Sequence, residues 1–206
     1  MNILLLGFGN QGKKRYKILK KHCNPKIFDP KYKKFSNKSV LKNKYDYIFI
    51  CCVDQFKDYF LKKYSKIWEG RILIEKPFFI NKNNKKVVIN LINKKRLYIA
   101  YNHRFDLELL NFLKQKKLLS NIYYANFKYL NGGAINVKKE KWRDRGSGVI
   151  YDLMPHLIDL SSAIFRKIDL NYLKKPNQIS FENRSPDYAS ITFNDSKKII
   201  NYEVSY

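Results

Sequence analysis

An apolar run, Ile3-Leu4-Leu5-Leu6, is followed at once by glycines at positions 7, 9 and 12 in the stretch GFGNQG. A short buried strand that ends in three such glycines and continues as a helix has few ways to fold. Gly7 can make a tight turn, Gly9 can let the backbone approach a ligand, and Gly12 can let a helix pack close to the strand. The same spacing also fits a plain glycine-rich turn, and the remainder of the chain has to decide between the two.

That remainder alternates. Strands are predicted at Asn2–Leu6, Lys26–Pro30, Tyr45–Val53, Arg71–Ile74 and Leu97–Tyr101. Helices are predicted between them at Gln11–His22, Phe56–Trp68 and Lys82–Asn93. Tyr16, Ile18 and Leu19 form the expected buried side of the first helix, and Val87, Val88, Leu91 and Ile92 that of the third. Tyr45–Val53 is a continuous apolar run, which predicts a strand covered on both faces. Strands alternating with helices predict a parallel α/β sheet. After about residue 120 the pattern changes. Ile122–Leu130 alternates as an antiparallel strand does, Gly148–Phe165 reads as one apolar helix, and Gln178–Phe181, Tyr188–Phe193 and Lys198–Val204 read as strands separated by turns. The expected architecture is an α/β Rossmann nucleotide-binding domain over 1–103, then a smaller α+β domain with a largely antiparallel sheet over 104–206.

In that setting the glycine loop reads as a dinucleotide cradle. The helix that starts beside it offers free N–H groups and a favourable dipole to phosphates. Asp29 stands 17 residues past Gly12, at the end of the second strand, where a carboxylate can bond ribose hydroxyls. It favours NAD, because a carboxylate repels a 2′-phosphate. Lys31, Lys33 and Lys34 offset it, so NADP stays open.

Two further stretches carry chemistry: IEKPF at residues 74–78 and GSGVIYDLMPHLIDL at residues 146–160. With GFGNQG, these resemble the glucose-fructose oxidoreductase / inositol dehydrogenase (Gfo/Idh/MocA) family. The segment Tyr101-Asn102-His103-Arg104-Phe105-Asp106 is similar to that family's junction between domains, and Trp142-Arg143 is also family-like. The resemblance implies an NAD(P)-dependent dehydrogenase or reductase acting on CH–OH groups of a sugar, polyol or sugar nucleotide. It implies catalytic roles for Lys76, Asp152 and His156. The implied cofactor-binding set is Gly7, Phe8, Gly9, Asn10, Gln11, Gly12, Asp29, Cys52, Val53, Glu75, Lys76 and Pro77. Asn102, Arg104, Trp142 and Arg143 are implied for substrate, with His103 beside them, and Asp159 is given a structural role. The residue types suit the chemistry. Alcohol oxidation needs a group that takes a proton near neutral pH, which a histidine does, and a cation that holds developing charge on oxygen. Asp152 and His156 are four apart and would share one helical face. Members of the family run longer, so the resemblance leaves three expectations open: a compact second domain, pairing through a different surface, or an incomplete chain.

Composition sets the remaining bounds. With 206 residues, 45% of them hydrophobic, the chain can bury a real core. Its formal charge is +25, from 42 Lys+Arg against 17 Asp+Glu. The lysines are spread along the whole chain, and Asn, Ile, Tyr and Phe are abundant with them, as a genome-wide AT bias would give. Nucleic acid is therefore not the expected partner, although anionic ligands are attracted. The alternatives are a non-catalytic nucleotide- or nucleic-acid-binding protein on the same fold, and a biliverdin-reductase-like enzyme. Cys23, Cys51 and Cys52 show no metal-ligand spacing, which predicts no metal and a reducing, cytoplasmic setting. No signal peptide or membrane span is expected, and a homo-oligomer is.

Overall fold

The computed structural model describes residues 1–116, 121–138, 148–165 and 168–206. The chain divides into two compact units, Met1–Ala100 and Tyr101–Tyr206.

The first unit holds a five-stranded parallel sheet: β1 (Ile3–Leu6), β2 (Lys26–Phe28), β3 (Tyr47–Ile50), β4 (Arg71–Ile74) and β5 (Leu97–Ile99), in the order β2-β1-β3-β4-β5. Three helices make crossovers: α1 (Asn10–Leu19), α2 (Asp54–Tyr64) and α3 (Lys85–Asn93). This is a Rossmann-like, doubly wound arrangement. β1 lies inside the sheet, paired to both β2 and β3, and all four of its residues are buried. Leu4, Leu6, Ile48, Ile50, Ile72 and Ile74 build one face with Phe60, Leu61, Val88 and Leu91 from α2 and α3. The other face is thinner. Tyr47 and Phe49 in β3 are only half-buried, so β3 alternates and is not covered evenly on both sides as its sequence predicts. In α1 the inward position is Gly12, and Ile18 is 61% exposed, contrary to expectation. Gly12 brings the helix so close that only the stripe it shares with Arg15, Tyr16 and Leu19 turns inward. Ile92 of α3 is likewise exposed, because α3 starts at Lys85 and centres its buried stripe on Val88 and Leu91.

Two 3₁₀ turns, Lys33–Phe35 and Lys38–Lys42, fill the connection from β2 to β3. Leu41 is buried there, and its carbonyl accepts the indole N–H of Trp68 at 3.0 Å. Trp68 is fully buried and stacks on Tyr64, with ring centroids 5.3 Å apart.

The second unit holds a four-stranded sheet in the order β6-β9-β8-β7, with β6 (Tyr124–Leu130), β7 (Asn177–Ile179), β8 (Tyr188–Asn194) and β9 (Ile199–Ser205). β7, β8 and β9 pair antiparallel, but β6 pairs with β9 in parallel, from Tyr124↔Ile199 to Leu130↔Ser205. Side-chain alternation alone reports one covered face and does not report strand direction, so the antiparallel reading of β6 is corrected. Its helices are α4 (Leu107–Gln115), α5 (Ala134–Lys138), α6 (Gly148–Asp152) and α7 (Met154–Phe165). The single helix expected over Gly148–Phe165 is two, broken at Leu153. Pro155 has no N–H to donate and its ring crowds the carbonyl of residue i−4, so it ends α6 and sits in the first turn of α7. The core joins Val149, Leu153, Met154 and Leu157 to Ala189, Phe193, Ile200, Tyr202 and Val204 of the sheet.

Candidate functional site

In the first unit, β2 lies on one side of β1 and β3 on the other. The connections leaving β1 and β3 therefore part company, and a crevice opens outside the carboxyl ends of those strands. Gly7-Phe8-Gly9 leave β1 there, and Cys51-Cys52-Val53 leave β3. Gly7 has φ +89°, and a side-chain carbon on it would lie 2.7 Å from the Cys52 nitrogen. A carbon on Gly12 would lie 2.0 Å from the Gly7 carbonyl oxygen. Gly9 differs, because nothing lies within 4 Å of the corresponding position. The space over Gly9 is open at the N-terminus of α1. No side chain caps that terminus and its first turn holds no acid. Lys13 and Lys14 follow instead, and cations are unfavourable near the positive end of a helix dipole unless an anion offsets them. The open glycine and the uncapped helix start through Asn10 and Gln11 fit the phosphates of a dinucleotide.

Asp29 is buried at the end of β2. Its Oδ2 accepts the Phe8 N–H at 2.7 Å and its Oδ1 accepts the Lys31 N–H at 2.9 Å. The carboxylate thus ties the glycine loop to the second strand. The Phe8 ring packs edge-on against Tyr16, Tyr32 and Phe35, at centroid distances of 5.5, 5.8 and 5.0 Å.

The EKP segment follows β4 in the same unit. Glu75 is buried, and its Oε1 accepts Arg15 Nε at 2.6 Å and is also paired with Arg15 Nη2. Glu75 therefore binds the segment to α1. The segment is held from the other side by Lys57 of α2, which is 2% exposed. Its ammonium donates to the carbonyls of Glu75 and Pro77, both at 2.7 Å, and to Asp54 Oδ1 at 2.6 Å. The two carbonyls bracket Lys76, and the Lys76–Pro77 peptide is cis. Asn84, fully buried, donates to Asp58 and to the Phe79 carbonyl, and Asn81 also donates to Asp58. Lys57, Arg15 and Asn84 are additions to the set that the sequence predicts. For Lys57 a signal exists: it completes the inward stripe 57, 60, 61, 64 of α2, where an ammonium needs buried acceptors. Burial pushes both the Cys51 and Cys52 thiols up to about 12, so they stand beside the loop as neutral thiols.

In the second unit, His156 of α7 is buried among rings from the segment after β5 and from β6. Its ring centroid lies 5.1 Å from that of His103, 5.9 Å from Tyr101 and 6.5 Å from Tyr129. His103 Nδ1 is 2.7 Å from Asp106 Oδ2. Asp152 is buried too, at the end of α6. It and His156 stand on successive helices, not on the single helix that their spacing predicts. Arg104 Nε donates to buried Asp159 Oδ2 at 2.6 Å, an ion pair that anchors the 3₁₀ turn Asn102–Phe105 to α7. Burial raises the Tyr101 phenol above its ordinary value, the Asp159 charge adds to this, and Arg104 opposes it. Trp142, Arg143, Gly146 and Ser147 lie outside the described residues. Among the described residues, no group of three or more His, Cys, Asp or Glu could hold a metal ion, and no helix is long and apolar enough to cross a membrane.

No protein-family model and no curated protein matches the chain. Solved structures do. A myo-inositol dehydrogenase from Corynebacterium glutamicum shares 15% identity at a TM-score of 0.73, over 100% of this chain and 68% of its own. UDP-N-acetylglucosamine 3-dehydrogenase GnnA from Acidithiobacillus ferrooxidans shares 16% identity at 0.74, over 100% and 69%. A Klebsiella pneumoniae protein provisionally classed as an oxidoreductase shares 17% identity at 0.76, over 100% and 62%. The chain thus spans about two thirds of the length of these proteins. At such identities the likeness establishes a shared fold.

Proposed function

We propose that the protein is an NAD(P)-dependent oxidoreductase of the Gfo/Idh/MocA type. It would move a hydride between a nicotinamide and a hydroxyl-bearing carbon of a sugar, polyol or sugar nucleotide. The observation that carries this reading is the loop after β1. Gly7 and Gly12 have no room for a side chain, while Gly9 faces open space at an uncapped helix start. A turn with no ligand to hold would need the first two features but not the third. The similarity in fold to two dehydrogenases supports the same conclusion.

The bound dinucleotide supplies the hydride chemistry; the rest falls to the protein. Gly9, Asn10 and Gln11 offer backbone N–H groups to its phosphates. Cys52, Val53, Glu75 and Pro77 belong to the segments that leave β3 and β4 on the carboxyl side of the sheet, where they would flank its other half. Lys76 donates a hydrogen bond to the reacting oxygen and holds its developing charge. His156 takes the hydroxyl proton in oxidation and returns it in reduction, with Asp152 as its carboxylate partner. Asn102 and Arg104 belong to the 3₁₀ turn that Asp159 anchors to α7 and, with Trp142 and Arg143, are assigned to the substrate.

The test starts with a fluorescence titration of the chain with NADH and NADPH. Gly9→Trp fills open space and leaves the fold intact, so it is expected to abolish binding. Lys76→Ala and His156→Ala are expected to keep cofactor affinity within about twofold and to lower turnover of a sugar-like substrate by about 10²–10⁴-fold. Binding unaffected by Gly9→Trp would place the ligand elsewhere, and full turnover in both alanine variants would overturn the catalytic roles.

A further inference from the structure

The nucleotide cradle carries a preference that its aspartate obscures. We infer that the first unit selects the 2′-phosphorylated dinucleotide, NADP(H), over NAD(H); this rests on the proposed nicotinamide-dependent activity. Selection of an unphosphorylated ribose relies on a carboxylate at the end of the second strand whose oxygens face the 2′- and 3′-hydroxyls. Asp29 occupies that position, but it is 8% exposed and each oxygen already accepts a backbone N–H, one from Phe8 and one from Lys31. Its carboxylate closes the glycine loop against β2.

The surface around it has the opposite character. Phe8, Tyr32 and Phe35 form an aromatic cluster beside the loop. Two ammonium groups rest on that cluster: Lys13 Nζ is 5.9 Å from the Tyr32 ring centre and Lys34 Nζ is 4.9 Å from that of Phe35. The rings hold the lysine stems and leave the charged heads at the rim, where an anion can reach them. The local charge also exceeds the general basicity of the chain. From Asn10 to Ser36 there are ten Lys and Arg and a single acid, Asp29, against 42 and 17 in the whole chain. A 2′-phosphate adds about two negative charges to the adenosine ribose. Such a group suits a rim of ammonium ions beside an aspartate whose two oxygens are already engaged by backbone N–H donors.

The experiment compares NADPH with NADH in fluorescence titrations of the full chain at 0.15 M salt, where charges more than about 8 Å away are largely screened. NADPH is expected to bind at least about tenfold tighter, with each rim lysine contributing roughly three- to fivefold. The double variant Lys13→Ala/Lys34→Ala is expected to remove most of that ratio while changing NADH affinity by about twofold or less. The control Lys66→Ala/Lys86→Ala removes the same net charge from exposed positions elsewhere in the unit and is expected to leave the ratio unchanged. Equal or tighter binding of NADH overturns the inference and spares the oxidoreductase reading. An equal loss of NADPH affinity in both double variants also overturns it, because the preference would then come from the general field of the protein. Failure of both nucleotides to bind the unsubstituted chain would remove the oxidoreductase reading and the inference together.

Discussion

Lys57 is where a single side chain matters most to the EKP segment. An ammonium at 2% exposure is costly to bury and is tolerated only when its protons are all taken. Here they are, by Asp54 and by the carbonyls of Glu75 and Pro77. Lys57→Met keeps the volume and the helix propensity but strands both carbonyls. We expect it to destabilise the first unit by about 2–3 kcal/mol, because leaving buried acceptors unpaired costs more than the bonds contribute on average. Urea unfolding followed through Trp68 fluorescence in a Trp142→Phe background measures this, and a loss under about 0.5 kcal/mol would show that the amine is dispensable. Some residue-level roles are legible in the sequence. Gly7 and Gly12 are as crowded as their place between a strand and a helix predicts, and Gly9 faces open space. Asp29 is legible in place but not in use: a sequence shows a carboxylate at a strand end and does not show which N–H groups reach it first.

At the scale of elements, the turn between β7 and β8 is organised by Asp187. Its carboxylate accepts N–H groups from Phe181, Glu182 and Asn183 and the side-chain amide of Asn183. Burial pushes its pKa up, these hydrogen bonds pull it down, and the balance lies below the ordinary value. A folded-state pKa below the unfolded one stabilises the protein fully above the unfolded value, near pH 4, and this stabilisation is lost as pH falls through the folded value. Asp187→Asn removes the titrating group. The unsubstituted chain is therefore expected to lose more stability between about pH 4 and pH 2 than the variant does, as measured by chemical denaturation at each pH. Parallel pH profiles would contradict the assignment. Elements differ in how clearly the sequence announces them. β4 is found at Arg71–Ile74, as predicted, because glycine and proline bound it. The helix around His156 reads as continuous in the sequence, because apolar periodicity runs through Pro155 although the backbone cannot. The direction of β6 is hidden, since its partner β9 lies at the far end of the unit and nothing local encodes that pairing. α4 buries none of its residues, and several of its large side chains, Leu107, Leu110 and Phe112 among them, are exposed.

For the molecule as a whole, the net charge of +25 predicts adhesion to polyanions irrespective of function. Retention on a DNA column is expected at low ionic strength, with release at about 0.2–0.3 M salt and no dependence on base sequence. Tight retention above about 0.5 M salt would instead point to a dedicated nucleic-acid site and weaken the enzyme reading. The chain has two tryptophans, Trp68 and Trp142, one in each unit's range. Trp68 is sealed from water, stacked on Tyr64 and bonded to the Leu41 carbonyl. Replacing Trp142 with phenylalanine would leave a chain with a single indole emitter, lodged in the nucleotide half. Its colour would then report the melting of that half alone, so that its resistance to heat can be read without cutting the chain.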